Sequence, residues 1–339
     1  MKRAVLAFAL CAGSVACDLD AVNEAVEAAR REGVSITPIN PPRSDQSGAE
    51  RRSRRRRRPS ASPVEAPVLP PPMPALATGE ALQQMPFGPA VDASPQDEMR
   101  LDRAQFVVSY NRFRNAPNWV AWRLSASDLG STGRTRDGFA PDPQLPDGVY
   151  RPLQGDYRGS GFDRGHLCPS AHRTRAPADN AATFSMSNIL PQRHDMNAGP
   201  WEALEAWAVD RARQGWDVYH YAGGLWPAVC ATDRSPGGNF VDASCPSIGR
   251  SEDPARRIAV PASTWKVIVL TPAGSGAAGL SHDAHVIAVD MPNDGSATPD
   301  WRRYQVTVDA LEQRTGYNFL AGVDEALQRT LESRLERLP

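Results

Sequence analysis

An α+β domain, with a mixed or antiparallel sheet flanked by helices, is what this sequence predicts, and three observations carry it. Stretches of aromatic and β-branched residues bounded by turn formers recur from residue 106 onward. Apolar residues at helical spacing follow Asn197 and Thr307 and close the chain. Tryptophan first occurs at Trp119, whereas proline and arginine crowd the region before about Ala75, so a single core is expected in the later part.

The chain's 339 residues exceed a typical domain, and composition assigns the excess to a leader and a tether. Residues 1–16, with Lys2 and Arg3 ahead of an apolar run, read as a signal segment too short to span a bilayer. The small residues before Cys17 resemble a bacterial lipoprotein box, with Cys17 lipidated and the membrane as a partner; ordinary cleavage after Ala16 is the alternative. Both place the protein outside the cytoplasm, in the periplasm or cell envelope, or secreted. Residues 17–83 form the expected disordered tether and 84–339 the folded domain. Within the tether, Arg51, Arg52 and Arg54 to Arg58 make a basic run. A solvated charge run, nucleic-acid capture by counterion release and contact with anionic lipid all stay open for it.

Export permits disulfides. Setting aside Cys11 and Cys17, three cysteines remain, of which Cys230 and Cys245 flank a Pro-Gly-Gly loop and are expected to pair, leaving Cys168 as a buried free thiol. The whole chain carries a net charge of −1, yet twelve basic and nine acidic residues precede position 85, which leaves 26 against 30 in the folded domain. A polyanionic partner then needs positive charge focused locally. Arg134, Arg136, Arg158, Arg164, Arg173, Arg175 and Arg193 cluster in sequence and are the candidates.

Residues 106–110 and 119–124 read as strands joined by a turn, 184–190 as another, and 217–223, 264–270 and 285–289 as core strands. After Asn197, Pro200 suits a first helical turn, and Trp201, Leu204 and Ala208 keep helical spacing until Gly215. Thr307 is the expected N-cap of a helix over 308–315 that Gly316 ends. Val323, Leu327, Leu331, Leu335 and Leu338 form a stripe expected to pack on the sheet, with a partner-binding helix as the minority reading. The long polar stretch 230–257 is an expected loop.

The densest chemistry lies in three blocks, 161–170, 188–192 and 197–205. His166 can take a proton from water near neutral pH. Arg164 shares its face if this is a strand, and a planar guanidinium suits phosphate oxygens. Mg²⁺ prefers oxygen ligands and keeps several waters, so one amide oxygen from Asn197 suffices to hold it. Glu205 falls a little over two helical turns after Asn197, placed to accept from that ion's waters. Together these types point to phosphodiester hydrolysis. Alone, His166 would read as a core histidine and Asn197 as a helix cap. No Gly-rich phosphate loop, Ser-His-Asp order, paired carboxylates or zinc-ligand spacing points elsewhere.

Asp-Arg-Gly-His at 163–166, Ser-Asn-Ile-Leu-Pro-Gln at 187–192 and Asn-x-Gly-x-Trp-x-x-Leu-Glu at 197–205 together resemble the DNA/RNA non-specific endonucleases, the sugar-non-specific ββα-metal nucleases, in their cyanobacterial-type form. Further likeness at 118–124, 263–266, 292–294 and 315–320 extends it from about Gln84 to the C-terminus. The resemblance implies a ββα-metal finger built from strands around His166 and Ser187 and the helix after Asn197. It implies His166 as general base, Asn197 as the one direct protein ligand of hydrated Mg²⁺ (Mn²⁺ being the alternative ion), and Glu205 as acceptor for the ion's waters. Arg164 would bind phosphate, Asn188 would support the metal-site helix or the scissile group, and the upstream phosphate arginine is Arg134 or Arg136. The implied reaction is attack of water on phosphorus in DNA or RNA, leaving 5′-phosphate ends, with a protein inhibitor as a further partner.

Two positions depart from the family pattern. Val209 stands where an arginine belongs, so Arg211 or Arg213 would have to substitute, and His172 stands where an aspartate is expected. They leave room for a catalytically silent nucleic-acid-binding envelope lipoprotein; a phosphodiesterase acting on small substrates or lipid headgroups is a second alternative.

Overall fold

A computed structural model describes residues 79–92, 97–135, 138–230 and 244–336, all within the contact unit Val64–Pro339. The signal segment, Cys17, the arginine run, Arg136 and the tip of the 230–245 loop lie outside the described residues.

Among the described residues, eleven strands run β1 Met99–Asp102, β2 Val107–Asn111, β3 Ala116–Leu124, β4 Asp163–His166, β5 Ile189–Gln192, β6 Trp216–Leu225, β7 Ser247–Ile248, β8 Ile258–Ala259, β9 Ser263–Pro272, β10 His285–Pro292 and β11 Gln305–Val306. Seven of them form the main sheet in the order β1-β2-β3-β6-β9-β10-β11, every neighbouring pair antiparallel. The helices are α1 Glu80–Gln84, α2 Pro177–Ala182, α3 Glu202–Arg213, α4 Val308–Thr315 and α5 Glu325–Glu332. Helix α1 begins ahead of the expected domain start at 84. Its last residue, Gln84, is buried, donating to the Ala104 carbonyl at 2.7 Å and accepting from the Arg123 N–H at 2.9 Å.

The central strands are apolar on both sides because both faces of the sheet are covered. Val120, Trp122, Ile268, Leu270 and Val289 join Leu167, Ile189, Trp201, Leu204 and Ala208 of the β4, β5 and α3 region in one cluster. Trp119, Ala121, Tyr219, Tyr221, Val267 and Val269 join Val308, Leu311 and Leu331 of α4 and α5 in the other. At roughly 1.5–3 kcal/mol per buried large apolar side chain, these layers dominate the favourable side of folding. Thr307 caps α4 by accepting from Ala310 N–H at 3.1 Å, and Gly316 ends it at φ 77°.

Three local expectations change. The stretch 184–190 is not one strand, because the Phe184 carbonyl and the Met186 N–H bond to Ala140; a tight turn, Met186–Asn188, follows, and β5 starts only at Ile189. Asn197 does not cap the N-terminus of α3: its backbone is helical, it ends a short turn His194–Met196, and it lies within a wide turn Asn197–Trp201 that leads to α3 and departs from helical geometry at Gly199. The C-terminal stripe packs through Val323, Leu327 and Leu331, but α5 stops at Glu332 and Leu335 is half exposed. Cys230 and Cys245 form a disulfide with Cα atoms 4.8 Å apart, and Cys168 is free and buried.

Candidate active site

β4 and β5 pair antiparallel, with Asp163 opposite Gln192 and His166 opposite Ile189. A Cβ at Gly165 would stand 1.8 Å from Gln192 Oε1, so glycine is what lets the buried Gln192 side chain lie across the hairpin between Arg164 and His166. The end of this hairpin is fixed by α3's entry: the Trp201 indole N–H donates to the His166 carbonyl at 3.1 Å.

His166, Arg164, Arg134, Ser170, Asn197, Glu202 and Glu205 line one cavity of about 290 Å³. The His166 ring has aromatic and cationic neighbours. Phe139 lies 5.2 Å from the His166 ring and under the Arg164 guanidinium at 4.9 Å. Phe184 meets the His166 ring edge-on at 4.9 Å and lies under Arg134 at 4.7 Å. Each phenylalanine therefore carries one arginine and one side of the imidazole, holding the two charges beside the ring. Arg134 also donates to Ser170 Oγ at 3.3 Å. His166 is buried, its Nε2 has no hydrogen-bond partner, and burial, reinforced by Arg134 and Arg164, pulls it down to about 3. The ring is a neutral imidazole at physiological pH.

Asn197 and Glu205 bring oxygen to the cavity. The Asn197 Nδ2 donates to Asp163 Oδ2 at 3.0 Å, and the same carboxylate oxygen lies 2.8 Å from His194 Nδ1. That bond assigns the amide orientation and leaves Oδ1 as the free acceptor. Glu205 Oε1 is buried without a hydrogen-bond partner, 3.7 Å from the ammonium of the fully buried Lys266. Burial pushes the Glu205 carboxyl up while Lys266 pulls it back.

The profile of the DNA/RNA non-specific endonucleases matches residues 88–326. This chain belongs to that family. A nuclease of Nostoc is 39% identical over 280 residues, covering 81% of this chain and 93% of its own. Human mitochondrial nuclease EXOG is 30% identical over 220 residues, 64% of this chain and 56% of EXOG. A solved structure of the EndoG/EndoGI complex superposes with a TM-score of 0.56 at 27% identity, covering 74% of this chain and 95% of that one. The endonuclease thus has an α+β fold with a ββα finger, β4, β5 and α3, seated on its antiparallel sheet.

Within this endonuclease, His166, Arg164, Asn197, Glu205 and Arg134 converge on one cavity, and Arg136 lies outside the described residues. Asn188 does not join them. It is fully buried: Oδ1 accepts from Cys168 N–H at 2.9 Å, and Nδ2 donates to the carbonyls of Cys168 and Thr183, each at 2.8 Å. It clips the segment after β4 to the turn before β5 and is not among the residues lining the cavity. Neither Arg211 nor Arg213 is among the residues lining the cavity: Arg211 lies over the Trp207 ring and Arg213 pairs with Asp210, while Val209 packs in the core. His172 is a core residue, bonded to the Trp122 indole at 3.0 Å and to the Glu205 carbonyl at 3.1 Å. Cys168 is no nucleophile, because burial pushes its thiol up to about 12.

Sequence reasoning missed four contributors: Phe139, Phe184, Asp163 and Lys266. Asp163 was in view as the first residue of the motif, and a lysine inside a core strand is itself an anomaly. The phenylalanines carry no local signal, since their role arises only when distant loops meet.

Proposed function

We propose that this endonuclease hydrolyses DNA and RNA phosphodiesters with a divalent cation, Mg²⁺ or Mn²⁺, held by Asn197, with His166 as general base and 5′-phosphate ends as product. One observation carries the reading: a neutral buried imidazole and an amide oxygen with no protein donor share a cavity with two guanidinium groups. The donor set fits such an ion. Mg²⁺ keeps most of its waters, so a single amide ligand with carboxylates nearby suits it better than a cage would.

Arg134 and Arg164 bind the phosphate oxygens, and the imidazole of His166 takes the proton of the attacking water. In the free site those guanidinium charges weaken the base. A bound phosphate offsets them, which returns basicity to the imidazole when the substrate is in place. Asp163 holds the Asn197 amide in one orientation, and Glu205 accepts from water on the ion. When bound, the ion supplies charge stabilisation at the leaving 3′-oxygen. Recognition through phosphate accounts for weak sequence dependence and for action on both sugars.

The sequence further supports export, with lipidation at Cys17 and a tether spanning 17–83. EndoG is inhibited in its complex with EndoGI, and a protein inhibitor covering this cavity is a corresponding partner.

The test is cleavage of plasmid DNA and RNA by the purified protein, with Mg²⁺ or chelator. His166→Ala should lower kcat by about 100-fold or more, the scale of lost general-base catalysis, while the protein still folds cooperatively. Normal turnover by that variant would end the base assignment.

A further inference from the structure

Lys266 is the one charged residue of β9, on its finger-facing side, and this mechanism leaves its chemistry unused. It pairs in register with Ala222 of β6 and Val289 of β10, at the middle of the main sheet, and is fully buried. Its ammonium lies 3.9 Å from the Trp201 ring centroid, 5.5 Å from that of Trp122 and 3.7 Å from Glu205 Oε1. Neither Nζ nor that oxygen has a hydrogen-bond partner. Removing a cation and a carboxylate from water is costly, and well-packed apolar residues often do as well or better, so stability alone does not account for the pair. The geometry offers another reason. Trp201 links Lys266 to the His166 carbonyl, Glu205 links it to the cavity, and among the described residues no other cation forms an ion pair with that carboxylate.

We propose that Lys266 is a positioning residue for the metal-binding half of the site: its ammonium is the counter-charge that keeps Glu205 anionic and available to water on a divalent cation at Asn197. The proposal rests on the reading of Asn197 as the ion's ligand and deepens it. Without Lys266, the buried Glu205 carboxylate has no compensating charge and takes up a proton, and the ion's waters lose their acceptor.

The sign of one measurement separates this from a structural role. A cation close to a metal site opposes metal binding. If Glu205 stayed ionised by itself, removing Lys266 would therefore leave Mn²⁺ affinity unchanged or tighten it. If Lys266 keeps Glu205 ionised, removal weakens binding instead. The experiment uses metal-free protein without nucleic acid at pH 7, following free Mn²⁺ by electron paramagnetic resonance, for Lys266→Met, Glu205→Gln and the double variant. The expected result is about a tenfold loss for Lys266→Met, matching Glu205→Gln, with no further loss in the double variant. Unchanged or tighter binding by Lys266→Met, or losses that multiply in the double variant, overturns the proposal. Lys266→Gln, with similar length and no charge, carries the same expectations where methionine disturbs folding, as judged by the melting temperature in chelator. Asn197→Ala is the separate control: Mn²⁺ bound as tightly as by the unaltered protein would remove the metal reading itself, and the proposal with it.

Discussion

His220 offers a test of how dry the floor beneath the reactive centre is. The residue is fully buried, neither ring nitrogen has a hydrogen-bond partner, and the ring stacks on Trp122 at 4.5 Å with an interplanar angle of 8°. Burial, with His172, Lys266 and Arg173 alongside, holds it well below the usual imidazole range. The folded protein therefore leaves His220 unprotonated where the unfolded chain, with a pKa near ~6.5, takes up a proton. Because the unfolded state binds more protons, stability contributed here is lost as pH falls through that value. At pH 5 the unfolded state gains about 2 kcal/mol from this proton and at pH 7 only about 0.2 kcal/mol. His220→Phe keeps the stack and removes both the unpaired nitrogens and the titration. Relative to the unaltered protein, it should therefore gain about 2 kcal/mol more at pH 5 than at pH 7. Urea unfolding in chelator, followed by tryptophan fluorescence at the two pH values, reads this directly; differencing against the parent cancels the other buried groups, such as Glu98, which burial raises to about 8. An identical variant-to-parent difference at both pH values would refute the reasoning, since it would mean that His220 accepts its proton in the folded state.

Asp163→Ala should free the Asn197 amide to rotate and weaken divalent-ion affinity and kcat by about 10- to 100-fold, checked by Mn²⁺ titration and cleavage rates. Asn188→Ala should cost about 2–4 kcal/mol by leaving the Cys168 and Thr183 backbone groups unpaired, while the metal dependence of the folded enzyme stays unchanged; denaturant midpoints and Mg²⁺ titration separate the two. Replacing Cys230 and Cys245 by serine should lower stability by about 3 kcal/mol on the chain-entropy model for a separation of 15 residues, measured by chemical denaturation.

Much of the fold was legible because strand and helix periods are local. The apolar runs at 217–223, 264–270 and 285–289 fall within β6, β9 and β10, and the Thr307 to Gly316 helix follows its end signals. The failures share a physical cause. At 184–190 the backbone bonds go to Ala140, more than forty residues earlier, and no local pattern encodes that pairing. Asn188 sits in a motif with functional residues, and sequence proximity cannot distinguish a side chain that contacts substrate from one that clips the loop carrying it. Its side chain is fully buried and bonds to the backbone of Cys168 and Thr183.

The site's logic lies in how its charges are divided. Cations and aromatic rings surround His166, whereas carboxylates and an amide oxygen face the cavity from Asn197 and α3. An arrangement with a carboxylate against the imidazole would make a stronger free base but would also hold a proton there before substrate arrived. With Arg134 and Arg164 in that place, burial and the two guanidinium charges keep the ring unprotonated, and on the proposed reading its basicity rises when an anionic phosphate offsets their charge. In the proposed mechanism, phosphate binding and activation of the base are one event. That coupling requires both arginines to stay beside the ring, which gives Phe139 and Phe184, each touching the imidazole and one guanidinium, their place in the mechanism.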